Sequence, residues 1–102
     1  MDETVKKCPV EEAIRIIGGK WKLLVLRSLL LNGPQRYNDL LKTVTAISPK
    51  ELTRNLRELM NSELVERANG PGQLVQYSLT ELGNGLMPTF ESLLDWGKQL
   101  SA

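Results

Sequence analysis

The stretch from Ile47 to Met60, ISPKELTRNLRELM, gathers the residues best suited to a chemical task. Coiled as a helix, it puts Lys50, Thr53, Arg54 and Arg57 on one side and Leu52, Leu56, Leu59 and Met60 on the other, with Asn55 to one flank. The polar set suits a nucleic-acid duplex. Arg and Lys reach guanine O6/N7 or phosphate, Asn reads adenine, and Thr serves either. Ser48, Pro49 and Glu51 form a capping box at the start of this helix, and Ser48 with the free amides there can hold a phosphate. The plainer alternative is a solvated amphipathic helix.

The flanking segments argue for the first reading. Upstream, NDLLKTV reads as a short helix capped by Asn38 with Leu40, Leu41 and Val44 inward, joined to the next by a tight T-A-I link. Downstream the period changes to extended: LVERA and LVQYSLT are two strands, with Val75, Tyr77 and Leu79 on one face of the second. Asn69 to Gln73 joins them. Short helix, turn, capped helix and hairpin outline a winged helix-turn-helix, in which the second helix lies in a major groove. Arg36, Lys42 and Arg67 are candidate phosphate contacts. Gln73 in the hairpin loop is a candidate minor-groove contact, although no arginine sits at that tip and a plain turn explains it nearly as well.

Two further helices precede this unit and one follows it. In CPVEEAIRII, Cys8 falls at the N-cap and Pro9 at the first helical position, and Val10, Ala13, Ile14 and Ile17 make a stripe. Gly18-Gly19 stops that helix. KWKLLVLRSLLL is apolar nearly all round, the pattern of a buried central helix, and ends at Asn32-Gly33-Pro34. Gln35-Arg36-Tyr37 is a candidate edge of a small sheet. Thr80 caps a final helix with Leu82, Leu86, Phe90, Leu93, Leu94 and Leu100 in a stripe and Pro88 as a predicted kink.

Length and composition bound the rest. A chain of 102 residues, 41% hydrophobic and 25% charged, is expected to form one domain with one core, spanning 1–102. The net charge of +1 hides a segregation: residues 14–57 carry a net +7, against −2 before and −4 after. A basic middle between acidic ends is an electrostatic hint of a polyanion partner. No apolar run is long enough for a membrane span, and MDETVKKCP lacks the apolar stretch of a secretory signal. The single cysteine excludes an internal disulfide and fits a reducing compartment, so the expected location is cytoplasmic. With no histidine, one cysteine and no phosphate-binding glycine motif, an enzyme is excluded and neither metal nor cofactor is expected.

At this point the residues resemble a known family. CPVEEAIRIIGGKWKLLVLRSLL, RYNDLLKTVTAISPKELTRNLREL, LVER and YSLTELGNGLMPTFESLLDWG are similar to the HxlR-type winged-helix transcriptional regulators, relatives of the MarR type. The likeness runs from Cys8 to Gly97, and G-G-K-W, I-S-P-K-E-L-T and Y-S-L-T-E-L-G are jointly specific. The departure lies in the wing, where the family's proline pair before V-E-Y is replaced by a shorter G-P-G-Q-L-V-Q-Y. The resemblance implies a bacterial or archaeal regulator, repressor or activator, acting as a homodimer on an inverted repeat of double-stranded DNA. It implies that the terminal helices, at about 8–18 and 81–100, pair with a second copy. Val10, Ala13, Ile14, Ile17, Phe90, Leu93 and Leu94 are the expected contacts, unless both helices merely cover their own core. Some relatives sense oxidants or electrophiles through a cysteine matching Cys8, a candidate sensor here or else a small N-cap residue. A small-molecule or oxidant effector is open but unidentified. The competing function is a winged helix used for protein–protein contact without DNA.

Overall fold

Proline has no N–H to lose at a helix start, and Pro9 accordingly opens α1 (Pro9–Ile17) with Cys8 at its N-cap. The computed structural model describes residues 8–100; Lys6 and Lys7, which precede Cys8 in the sequence and whose charges would favour its thiolate, lie outside them. Gly19, at φ +104°, turns the chain into α2 (Lys20–Asn32), a backbone angle that side-chain-bearing residues rarely tolerate. α3 (Tyr37–Thr43) and α4 (Pro49–Asn61) follow. An antiparallel hairpin of β1 (Val65–Asn69) and β2 (Val75–Leu79) comes next, its ends bridged by a 3-10 turn at Pro71–Gln73. The chain closes with α5 (Glu81–Asn84) and α6 (Met87–Leu100).

The core lies where α2, α3, α4 and the hairpin meet. Val25, Leu26 and Leu29 of α2, Leu40 and Val44 around α3, and Leu52, Leu56 and Leu59 of α4 are buried together with Leu64 and Val65. Met60, Tyr77 and Leu79 pack on its margin. Burying a Leu side chain stabilises by about 1.5–3 kcal/mol, so the leucine comb of α4 fixes which side of that helix remains outside. The fold is the winged helix-turn-helix expected from the element order. Of the expected edge Gln35-Arg36-Tyr37 only Gln35 pairs, because Arg36 caps and Tyr37 opens α3: the Gln35 backbone N–H donates to Tyr77 O at 2.9 Å and its carbonyl accepts from Tyr77 N–H at 2.7 Å.

Three local expectations need correction. The short helix starts before Asn38, because the Asp39 carboxylate reaches back to the Arg36 N–H at 3.3 Å and makes Arg36 the N-cap. The last helix is interrupted at Gly85-Leu86 rather than kinked at Pro88. Thr80 Oγ1 accepts from the Gly83 N–H at 3.0 Å, and Leu86 N–H bonds back only three residues, to Gly83 O, which closes α5 after one turn. Pro88 then stands in the first turn of α6, where a missing N–H costs nothing. α2 is buried on one side only; Arg27 and Leu31 on its other side are exposed.

α1 and α6 contain no buried residue. Val10 is 64% exposed, Ile14 61% and Leu94 60%. Ile17 and Phe90, at the inner ends of these stripes, pack on the core margin. The radius of gyration is 15.0 Å, against about 13 Å for a compact chain of this length, because the two terminal helices stand away from the core.

Candidate nucleic-acid interface

The cationic side of α4 is set by three anchors besides its leucines. Glu51 Oε1 accepts from the Ser48 N–H at 3.3 Å and from Ser48 Oγ at 3.1 Å, and Ser48 Oγ accepts from the Glu51 N–H at 3.1 Å, which completes the capping box. Trp21 Nε1 of α2 donates to Glu51 Oε2 at 3.0 Å, and Lys20 stacks its ammonium over the Trp21 ring at 4.5 Å. One turn from the end of α4, Glu58 pairs with Lys22 of α2 at 3.1 Å. Both carboxylates of the helix that face α2 are thereby engaged, and its arginines are left pointing outward.

Lys50, Thr53, Arg54 and Arg57 are all exposed. Among the described residues, Lys50, Arg54, Arg57, Lys42 and Arg67 form no ion pair within 4.0 Å. Cations without an ion pair are not neutralised within the fold, although Arg54 and Lys42 act through space on Glu51 and Asp39. α4 is about 20 Å long at roughly 1.5 Å per residue, enough to follow a major groove about 12 Å wide. Lys42 lies on the exposed side of α3, and Arg67 faces out from β1 opposite Tyr77.

The other candidates are placed differently. Asn55 is 4% exposed and its amide donates to Glu51 O at 2.7 Å, within its own helix, so it cannot reach a base edge. Its position three residues after Leu52 and four before Leu59 sets it inside the apolar stripe, a signal already present in the sequence. Ser48 commits its hydroxyl to the capping box. Arg36 is held by Asp39 at 3.3 Å, and the Arg36 backbone N–H first, then its guanidinium, keep the Asp39 carboxyl below the usual range. Gln73 is exposed in the wing turn, where its side-chain oxygen accepts from Asn69 Nδ2 at 3.2 Å.

Sequence reasoning missed a polar cluster, buried at Ser28 and Gln35 and exposed at Thr43, that joins the helix-turn-helix to the sheet. Gln35 Nε2 donates to Ser28 O at 3.1 Å and Ser28 Oγ at 2.9 Å, Ser28 Oγ donates to Thr43 Oγ1 at 2.7 Å, and Thr43 Oγ1 donates to Gln35 Oε1 at 2.8 Å. α2, α3 and the sheet edge at Gln35 are thus tied by bonds whose partners are well separated in sequence. Tyr37, also missed, reaches across the turn to Pro49 and Thr53 of α4.

The Glu51 carboxyl is held below the ordinary carboxylate range, first by the Ser48 N–H, then by the Ser48 hydroxyl, the Trp21 indole and the charge of Arg54. A depressed folded-state pKa stabilises the fold above the unfolded-state value, and that contribution is lost as pH falls through the folded value. Urea unfolding midpoints of wild type are therefore expected to decline below about pH 4.5 more steeply than those of Glu51→Gln, which lacks this titration. Parallel curves would show that the box carries no linkage.

Among the described residues no group of three His, Cys, Asp or Glu side chains could hold a metal ion, and no helix is long and apolar enough to cross a membrane. Residues 16–102 match the HxlR-like helix-turn-helix family. The chain is 45% identical over 92 residues to YkvN of Bacillus subtilis, an uncharacterised helix-turn-helix-type transcriptional regulator, covering 88% of this chain and 77% of that one. It is 42% identical over 93 residues to another such regulator from Methanothermobacter thermautotrophicus, covering 89% and 70%. The reduced form of the transcriptional regulator YodB from Bacillus subtilis superposes with a TM-score of 0.77 at 36% identity, covering 90% of this chain and 92% of that one. YodB has also been solved after diamide treatment and with a quinone bound.

Proposed function

This chain belongs to the HxlR-like helix-turn-helix family of transcriptional regulators, and on that premise we propose that it binds an inverted-repeat operator as a homodimer, with α4 of each protomer in a major groove. The observation that carries the reading is the outward face of α4, where Lys50, Arg54 and Arg57 stand exposed without an ion pair on a helix fixed from behind by Leu52, Leu56 and Leu59. Lys42 and Arg67 extend the positive surface on either side. The bare apolar faces of α1 and α6 supply the pairing surface. Paired through them, two copies would set their reading helices about 34 Å apart, one duplex turn. The chain acts in the cytoplasm, where the duplex is.

The test is the salt dependence of duplex binding. Each phosphate contact releases counterions, so log K falls against log salt by about 0.9 per contact. A steep linear fall is expected. A winged helix used only for protein contact gives a flat line.

Cys8 is the proposed switch point. The N–H groups of Glu11 and then Val10, open at the start of α1, hold its thiol below the ordinary range. A lowered thiol pKa favours thiolate, the form that attacks diamide or a quinone. Cys8 is partly exposed and free of any disulfide. The rate of alkylation by iodoacetamide is expected to reach half-maximum at a pH below the roughly 8–9 of an ordinary thiol. Diamide or quinone treatment is expected to leave an adduct on Cys8 and to shift operator affinity. No adduct together with unchanged affinity would remove Cys8 from the mechanism.

A further inference from the structure

The Tyr37 hydroxyl lies 2.8 Å from the Pro49 carbonyl oxygen and 2.8 Å from Thr53 Oγ1. A carbonyl has no hydrogen to give, so the first contact uses the single hydrogen of the phenol. The second contact must then take its hydrogen from Thr53, whose hydroxyl donates to the Tyr37 oxygen. A threonine hydroxyl carries one hydrogen and two lone pairs. With that hydrogen held inside the protein, Thr53 offers only lone pairs to whatever approaches its exposed side. The Tyr37 ring is half-buried against the core and cannot follow Thr53 to a new partner.

We propose that Tyr37 is a positioning residue that fixes Thr53 as a hydrogen-bond acceptor, so that at one base pair of each half-site the protein selects a base that presents an exocyclic amine in the major groove, adenine or cytosine. The proposal rests on the reading that α4 lies in the major groove, where adenine N6 and cytosine N4 are the available donors. Guanine O6, thymine O4 and the purine N7 atoms are acceptors, and each would meet Thr53 lone pair against lone pair. A threonine with a freely rotating hydroxyl discriminates little, since it serves donors and acceptors alike. The phenol removes that ambiguity without touching DNA itself.

Selection from a randomised duplex pool tests this with wild type, Tyr37→Phe and Thr53→Val. Wild type is expected to show one position per half-site with about five-fold preference for adenine or cytosine on the contacted strand, the scale of one net hydrogen bond. In Tyr37→Phe that preference is expected to fall below about two-fold, while all other positions and the salt slope stay unchanged. Thr53→Val removes the same preference, and the double variant removes no more; Thr53→Ser, which keeps the hydroxyl, retains it. With wild-type protein, replacing the selected adenine by purine, or the selected cytosine by pyrimidin-2-one, removes the amine and costs the same factor. An unchanged preference in Tyr37→Phe, a uniform weakening across all positions, or a wild-type preference for guanine or thymine there overturns the proposal while leaving duplex binding intact. Absence of salt-dependent duplex binding in wild type fails the major-groove reading, and the proposal falls with it.

Discussion

Replacing Leu94 by glutamate is expected to convert a dimer into a folded monomer and to weaken operator binding by about 10²–10⁴-fold. The side chain is 60% exposed in the single chain, so a carboxylate there meets water and leaves the core of α2, α3 and α4 untouched. Covered by a second copy, as proposed, the same carboxylate would lose its water, a cost of several kcal/mol less whatever Arg27 and Lys98 of the same groove return. Leu94 lies in a groove between α2 and α6 that Leu30, Leu31, Phe90 and Leu93 line together with Arg27, Glu91 and Lys98. The drop in DNA affinity follows from effective concentration: a second reading helix tethered near its half-site binds far better than a free one. Sedimentation velocity gives the mass, circular dichroism the fold, and a gel shift on the inverted repeat the affinity. Retention of dimer mass and wild-type affinity would mean that the copies pair elsewhere or not at all.

The second large effect is expected from Lys50→Ala combined with Arg54→Ala. Both side chains are exposed and neither forms an ion pair among the described residues, so folding stability is expected to change by no more than about 0.5 kcal/mol. Removing a side chain that binds phosphate lowers the salt slope by about one, whereas removing a base reader costs about 1–3 kcal/mol and relaxes selectivity at that position. For the pair, affinity is expected to fall by about 100-fold at physiological salt. The two single variants separate the roles. A uniform weakening across sequences marks a phosphate contact, and a weakening confined to the preferred sequence marks a base reader. Wild-type affinity in both single variants would show that this face of α4 does not read DNA.

What the sequence makes legible divides along the distance between interacting residues. The Ser48–Glu51 capping box, the Gly18-Gly19 break and the leucine stripe of α4 are encoded within one or two turns of chain, and each stands as expected. Gln35 as a sheet edge also stands, although its buried amide network with Ser28 and Thr43 does not follow from local pattern. Asn55 shows what happens when residue type is weighed above helical phase: an asparagine suggests a reader, but its angle about the axis places it among the leucines. The end of α5 escapes a reading centred on Pro88, because the Thr80–Gly83 cap closes the turn earlier. Trp21 on Glu51 and Tyr37 on Thr53 span 30 and 16 residues. Contacts of that separation are products of the tertiary fold, and no spacing rule reaches them.

The chain's two tryptophans sit at opposite duties. Trp21 holds Glu51 at the head of α4, and Trp96, 58% exposed, stands on the bare side of α6. The molecule thus carries two native fluorophores, one sensing the seat of α4 and the other the water around its outlying arm. Emission from a single-tryptophan variant of each kind follows one half alone, and any association of chains can be timed against any loosening of α4 without attaching a dye.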